Sequence, residues 1–165
     1  MRTKIQHLNN ILLPLLPETR CFAIKRFMWR LAGVYMEENV RLCSSVTIYG
    51  AGKLSIGKNT WIGPQVMICV SDSVLIGSNC DIAPRVYIGD GTHNITTSAD
   101  RIANEELTLP IIIGNGCWLC ANSTILAGVN IGDKCVVAAG AVVTNSFEGN
   151  KILVAGVPAK IIKSL

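Results

Sequence analysis

A medium-sized aliphatic residue returns at every sixth position between residues 113 and 143: Ile113, Leu119, Ile125, Ile131, Val137 and Val143. Upstream, Ile56, Ile62 and Ile68 share one register and Ile76, Ile82 and Ile88 share another, displaced from the first by two residues. Leu42 and Ile48 carry the series further back, with the same two-residue offset before Ile56. A strand repeats every two residues and a helix every 3.6, and neither asks for an apolar residue only at every third inward position. A chain that turns after each hexapeptide does ask for it. The marked residues then face a shared interior, and three hexapeptides close a triangular coil of eighteen residues, or twenty where the extra pair recurs at one corner. Gly57, Gly63, Gly77, Gly89, Gly114 and Gly132 follow their aliphatics, where a bend favours a residue without a side chain. Four positions after the aliphatic stand Thr60, Val66, Cys80, Val86, Cys117, Ser123, Val129, Cys135 and Ala141, all small enough for a narrow core.

Self-similarity at this period predicts an all-β protein, a parallel β-helix of about five coils stacked roughly 4.8 Å apart. Residues outside the repeat divide the rest. Residues 1–35 are expected to form an N-terminal helical cap, and residues 36–165 the β-helix domain, with a long loop at 89–112 and a C-terminal tail ending in a short helix.

Composition narrows the class. Half of the 165 residues are hydrophobic and 16% are charged, which excludes a disordered chain and suits one domain with a substantial core. The net charge of +4 is modest and lacks the dense basic and aromatic footprint of a nucleic-acid binder, so no nucleic-acid partner is expected. The run ILLPLL near the start is broken by Pro14 and is too short for a membrane span or a secretory leader. With no such leader, the seven cysteines read as free thiols of a cytoplasmic protein. Cys117 and Cys120 form a C-x-x-C, yet Cys80, Cys117 and Cys135 share the small core position of their repeats and no nearby histidine completes a ligand set. Packing, and no metal, is the expectation.

The repeat breaks once. After Ile88 the chain reads GDGTHNITTSADRIANEELTLP and regains register only at Ile113, twenty-five residues on where six would do. A loop of this length inside a compact domain is usually functional. It holds His93, and the one other histidine, His7, lies outside the repeat.

The run IIIGNGCWLCANSTILAGVNIGDKCVVAAGAVVT, residues 111 to 144, followed by VAGVPAK, resembles the hexapeptide-repeat acetyltransferases that act on sugars and xenobiotics. The resemblance covers residues 34 to 163 or so. It implies a left-handed β-helix, although parallel crossovers are generally right-handed, a homotrimer, and acetyl-coenzyme A held in clefts between subunits. It further implies that His93, at the base of the long loop, is the general base that takes a proton from the acceptor as it attacks the thioester carbonyl, a task suited to imidazole at neutral pH. For the carboxylate that orients this histidine, Asp90 ranks first, while Asp72, Glu105 and Glu106 stay open. Ala121, Ala139 and Thr144 match family positions that contact the pantetheine arm, and Pro158 and Lys160 match those near the adenine and 3'-phosphate, with Lys163 in support. The chain departs from the family at Cys120, which stands where a glycine is common beside the cofactor groove, and at Ala138, Ala139, Gly140 and Ala141, where G-A-G-S is usual.

The activity so implied is transfer of acetyl from acetyl-coenzyme A to a hydroxyl of a saccharide acceptor, in the setting of surface-polysaccharide biosynthesis. N-acetylation of an amino sugar or xenobiotic is the alternative, and a non-catalytic trimeric scaffold is another. The γ-type carbonic anhydrases share this repeat but hold zinc with three histidines, and this chain has two. In the N-terminal segment Ile24, Phe27, Met28 and Leu31 follow helical spacing while Lys25, Arg26 and Arg30 take other faces. Two readings stand: a helix that covers the open end of the β-helix, or a basic amphipathic helix making peripheral contact with the inner face of an anionic membrane.

Overall fold

The computed structural model describes residues 1–98 and 100–165. Three parallel sheets wrap a triangular interior. The first contains Tyr35–Met36, Lys53–Ile56, Ser73–Ile76, Ile111–Ile113 and Asn130–Ile131. Arg41–Leu42, Trp61–Ile62, Asp81–Ile82, Trp118–Leu119, Val136–Val137 and Ile152–Gly156 form the second. The third holds Thr47–Tyr49, Met67–Cys69, Tyr87–Gly89, Thr124–Ile125 and Val142–Val143.

The six-residue period maps onto this prism rung by rung. In the first sheet Ile56 pairs with Ile76, Ile76 with Ile113, and Ile113 with Ile131. In the second, Leu42, Ile62, Ile82, Leu119, Val137 and Val154 stack in one file. The third stacks Ile48, Ile68, Ile88, Ile125 and Val143. These residues, and the small residues four positions after them, are buried. All seven cysteines are free, and Cys80, Cys117 and Cys135 lie in the core. Their Sγ atoms sit 3.1, 3.1 and 3.2 Å from the carbonyl oxygens of Gly114, Gly132 and Gly149, a file of thiols spent on backbone acceptors. Among the described residues no cluster of three or more His, Cys, Asp or Glu could hold a metal.

Two details differ from the reading of the period. Gly57, Gly77, Gly114 and Gly132 are absent from the left-handed region, so a bend does not explain them. Each lies against the coil above: a Cβ on Gly77 would stand 2.7 Å from the carbonyl of Gly114, and one on Gly114 2.7 Å from Gly132. Left-handed corner residues include instead Asn39, Asn59 and Asn79, which tolerate positive φ and pair side chain to side chain at 3.2 and 3.1 Å, and further coils turn at Gln65, Arg85, Asn122 and Lys134. The coil count also rises from about five to about six, because Phe147 bridges Ile131 and Ile152–Gly156 extends the second sheet by one rung.

The tail is a strand and not the expected helix. Ala159–Ser164 folds back antiparallel on Ile152–Gly156. The exposed edge of that last rung needs a partner, and the β-branched pair Ile161 and Ile162 suits a strand better than a helix.

At the other end, α1 (Thr3–Leu12), a 3₁₀ turn (Leu13–Leu15) and α2 (Phe22–Leu31) lie over the first coil. Of the helically spaced residues, Ile24, Phe27 and Leu31 are exposed and Met28 is partly buried against the core, while Lys25, Trp29 and Ala32 are buried. Lys25 tolerates this because its Nζ donates to the carbonyls of Pro17 and Glu18 at 3.0 and 2.8 Å, while burial, the largest influence, lowers its pKa.

Candidate active site

The long interruption is an antiparallel hairpin, Gly91–Ile95 paired with Ala103–Thr108, growing from the third sheet at Gly89. Its base is tied tightly. The Leu109 amide donates to the Asp90 carbonyl at 2.8 Å, and the Gly128 amide of the next coil donates to the Leu109 carbonyl at 3.0 Å.

Asp90 is fully buried and its carboxylate is committed elsewhere than to His93. One oxygen accepts the Ser71 amide at 2.7 Å and the other the Asp72 amide at 2.8 Å. This corrects the first-ranked orienter: two backbone donors one coil below outcompete an exposed imidazole for a buried anion.

His93 sits on the exposed first strand of the hairpin. Its Nδ1 is 3.0 Å from the carbonyl oxygen of Asn104 on the opposing strand. A carbonyl can only accept, so Nδ1 carries the proton in this contact, and in the neutral ring Nε2 is left with its lone pair. Glu106 stands directly across the hairpin from His93, and its carboxylate reaches the Ser71 hydroxyl at 3.4 Å. The backbone oxygen that orients His93 carries no side-chain signature, so no motif in the sequence could have disclosed it.

Beside the hairpin, Gly91, Thr92, Leu126, Ala127 and Thr144 line a small open depression of about 210 Å³. Of the six residues expected to touch the cofactor, Thr144 alone lines it. Ala121 and Ala139 occupy equivalent places on successive coils, joined by the Gly140 amide donating to the Ala121 carbonyl at 3.0 Å. Pro158 is exposed near the turn of the C-terminal hairpin. Lys160 lies opposite Ala155 and Lys163 opposite Leu153, and the pairing slips between Leu153 and Val154. Ala155 and Leu153 share one side of their strand, so the slip turns both ammonium groups toward the same outward side. Cys120 is half-buried, and burial raises its pKa.

The fold is a parallel β-helix whose one long insertion carries a histidine and flanks an open depression. Comparison with known proteins agrees. The profile "Hexapeptide repeat of succinyl-transferase" matches residues 53–91 and 110–145. WcaF of Escherichia coli (strain K12), assigned by name to acetyl transfer in colanic acid biosynthesis, is 32% identical over 84% of this chain and 74% of its own length. The galactoside O-acetyltransferase of the same strain is 34% identical over 71% of this chain and 56% of its own. Among solved structures, a hexapeptide-repeat acetyltransferase of Vibrio cholerae complexed with acetyl-coenzyme A superposes with a TM-score of 0.77 at 22% identity, covering 99% of this chain and 86% of that one. A maltose O-acetyltransferase of Clostridium difficile gives 0.71 at 22%, covering 98% and 83%. The chain belongs to the hexapeptide-repeat acetyltransferases and is an acetyl-coenzyme A dependent acyltransferase.

Proposed function

We propose that this protein O-acetylates a saccharide used in surface-polysaccharide biosynthesis, with His93 as general base. The observation that carries the reading is the Nδ1 contact of His93 with Asn104, which fixes the tautomer whose Nε2 is basic, on the same hairpin strand whose Gly91 and Thr92 line the depression with Thr144. In the reaction the acceptor hydroxyl oxygen attacks the thioester carbonyl as Nε2 takes its proton. The tetrahedral intermediate then collapses, the C–S bond breaks, and the proton passes from the imidazolium to the departing thiolate of coenzyme A. No atom is left over.

The names of the relatives support the acceptor class, since they refer to colanic acid, galactosides and maltose. The small size of the depression supports a homotrimer. About 210 Å³ falls below the 300–1,000 Å³ of ordinary ligand pockets, and acetyl-coenzyme A is a large ligand, so a neighbouring copy supplies the second wall. We place the reaction in the cytoplasm, with Lys160 and Lys163 toward the cofactor's 3'-phosphate.

The test is release of coenzyme A from acetyl-coenzyme A by the purified protein across a panel of neutral sugars, amino sugars and oligosaccharides, with the product treated with mild alkali. An alkali-labile ester on a neutral saccharide is the expected result. An alkali-stable amide, or turnover on amino sugars alone, overturns the O-acetyl reading.

A further inference from the structure

We propose that the outward faces of α1 and α2 form a docking surface for an anionic phospholipid bilayer. The two helices are packed inside out. Toward the first coil they turn Gln6, Asn9 and Leu13 from α1 and its 3₁₀ extension, and Lys25, Trp29 and Ala32 from α2 and its end, all buried. Away from it stand Leu8, Ile11, Leu12 and Leu15, exposed by 50, 55, 40 and 80%, and Ile24, Phe27 and Leu31, exposed by 51, 61 and 44%. Both sets run at i, i+3 and i+7, so each helix presents one continuous apolar stripe to the outside.

The arrangement is held by specific bonds, so the outward stripes are a property of the fold. Asn9 Nδ2 donates to the Met28 carbonyl at 2.8 Å and binds α1 to α2. Asn10 both donates to the Ile48 carbonyl at 2.9 Å and accepts its amide at 3.2 Å, joining α1 to the third sheet as an extra strand would. Lys25 and Arg26 donate to backbone carbonyls of Pro17, Glu18 and Val40. Polar side chains thus join Leu13 and Trp29 in anchoring the helices, and the seven exposed aliphatic and aromatic ones are left for another partner. Single exposed apolar residues are ordinary, whereas seven in two stripes on neighbouring helices are not.

Charge decides which partner. Residues 1–36 hold six basic side chains, Arg2, Lys4, Arg20, Lys25, Arg26 and Arg30, against one acid. That acid, Glu18, is engaged with the Ser45 hydroxyl and amide. Arg2, Lys4 and Arg20 are exposed, as is Arg30, whose guanidinium also donates to the Met36 and Glu37 carbonyls. A second copy docking through the same face would oppose like charges, while an anionic bilayer accepts the apolar stripes and attracts the basic rim together. No helix among the described residues is long and apolar enough to cross a membrane, so the contact is one that lies on the surface.

The experiment is co-sedimentation of the full-length protein with vesicles of phosphatidylcholine and phosphatidylglycerol, against vesicles of phosphatidylcholine alone. The wild-type protein should pellet with the anionic vesicles, with apparent affinity at least about tenfold above that for the neutral ones. The double variant Leu15→Glu, Phe27→Glu should lose about tenfold or more, since it replaces buried apolar contact with like charge, and should keep acetyl transfer to a soluble acceptor and the native oligomeric state. Lys4→Glu with Arg20→Glu, which leaves the stripes intact, should weaken binding to the anionic vesicles by about tenfold and leave the neutral ones unaffected. Binding to neither vesicle overturns the proposal. So does binding that the Leu15→Glu, Phe27→Glu protein retains, or a wild-type oligomer that dissociates in that variant, which would make a second copy the occupant.

Discussion

Nδ1 of His93 and the carbonyl oxygen of Asn104 meet at 3.0 Å across one hairpin, so a single short element both carries the proposed base and sets its tautomer. The element is also anchored at its root by Asp90 and leans on Ser71 through Glu106. From this contact follows the first expectation. His93→Ala should lower turnover by about 10² to 10⁴ while acetyl-coenzyme A affinity and oligomeric state stay as in wild type. Steady-state kinetics on the true acceptor, with cofactor affinity from calorimetry, check it. His93→Gln should fare no better, because an amide accepts a hydrogen bond but not a full proton. A variant that keeps more than about a third of wild-type turnover removes the base role.

Asp90 should behave as an architectural residue. In Asp90→Asn the new amide group must face one of two backbone N–H donors, Ser71 or Asp72, and that pair can no longer bond. A loss of about 1–3 kcal/mol in unfolding free energy is expected, measured by denaturant titration, with the acetyl-transfer pH profile keeping its shape. A changed profile with unchanged stability would return Asp90 to a role beside His93.

The glycine file predicts a sharp asymmetry among small substitutions. At Gly77 an added Cβ would press on the Gly114 carbonyl carbon and oxygen at 2.7 Å, whereas at Gly91 the nearest atom is 3.6 Å away and is a side-chain hydroxyl. Gly77→Ala should therefore destabilise by about 1–3 kcal/mol through overpacking, while Gly91→Ala stays within about 0.5 kcal/mol. Thermal unfolding of the two variants side by side is sufficient.

Cysteine chemistry should be graded by depth. Burial, with Glu18 adding to it and Lys25 opposing, raises the Cys43 thiol from 9.0 to about 11. The unfolded chain ionises that thiol at the lower value, so its contribution to stability is whole below about pH 9 and is lost as pH rises through about 11. Cys43→Ala should flatten the alkaline end of a stability profile recorded between those limits. In maleimide labelling at pH 8, Cys21, the exposed thiol, should react first, and Cys80, Cys117 and Cys135 only with unfolding.

Lys160 should act on the donor. Its replacement by Ala is expected to raise the Michaelis constant for acetyl-coenzyme A more than it lowers turnover, as loss of a remote contact does. With a dephospho donor the variant should show little further loss. Equal use of both donors by wild type would detach Lys160 and Lys163 from the phosphate.

Most of the scaffold could be read from the chain because the signal is redundant. Ile113, Leu119 and Ile125 each predict a rung, and the next turn repeats the forecast at Ile131, Val137 and Val143, so one misplaced residue does not alter the register. The direction of coiling came from family resemblance alone. Where one element had two acceptable faces, the sequence left its facing open. On α2 the spacing of Ile24, Phe27 and Leu31 identified a true amphipathic stripe, but Lys25 and Trp29 on the other side had partners in Pro17, Glu18 and the core, and tertiary contacts decided. The tail was misassigned as a helix because the strand preference of Ile161 and Ile162 is short and weak on its own, and the open edge at Leu153 and Val154, which the sequence does not display, settled the matter. His93, the proposed base, could be singled out from the sequence, but its structural setting could not. The group that meets its Nδ1 is a main-chain oxygen, and the residues lining the depression, Thr92, Leu126 and Ala127, are unremarkable in type.

The hairpin leaves the solenoid at Asp90 and rejoins it at Leu109, with only one hydrogen bond between the two ends, while Ile76 pairs with Ile113 and Ile88 with Ile125 as though nothing intervened. A segment spliced between those anchors leaves the pairing of the stacked coils unchanged, its side-chain contact with them being that of Glu106 with Ser71, and lengthening it costs closure entropy that grows only with the logarithm of its length. The insert is modular. Exchange of the segment between the anchors for a foreign one of different length or chemistry would re-aim the enzyme at another acceptor without asking the scaffold to refold, which is a route by which one prism can serve many glycans.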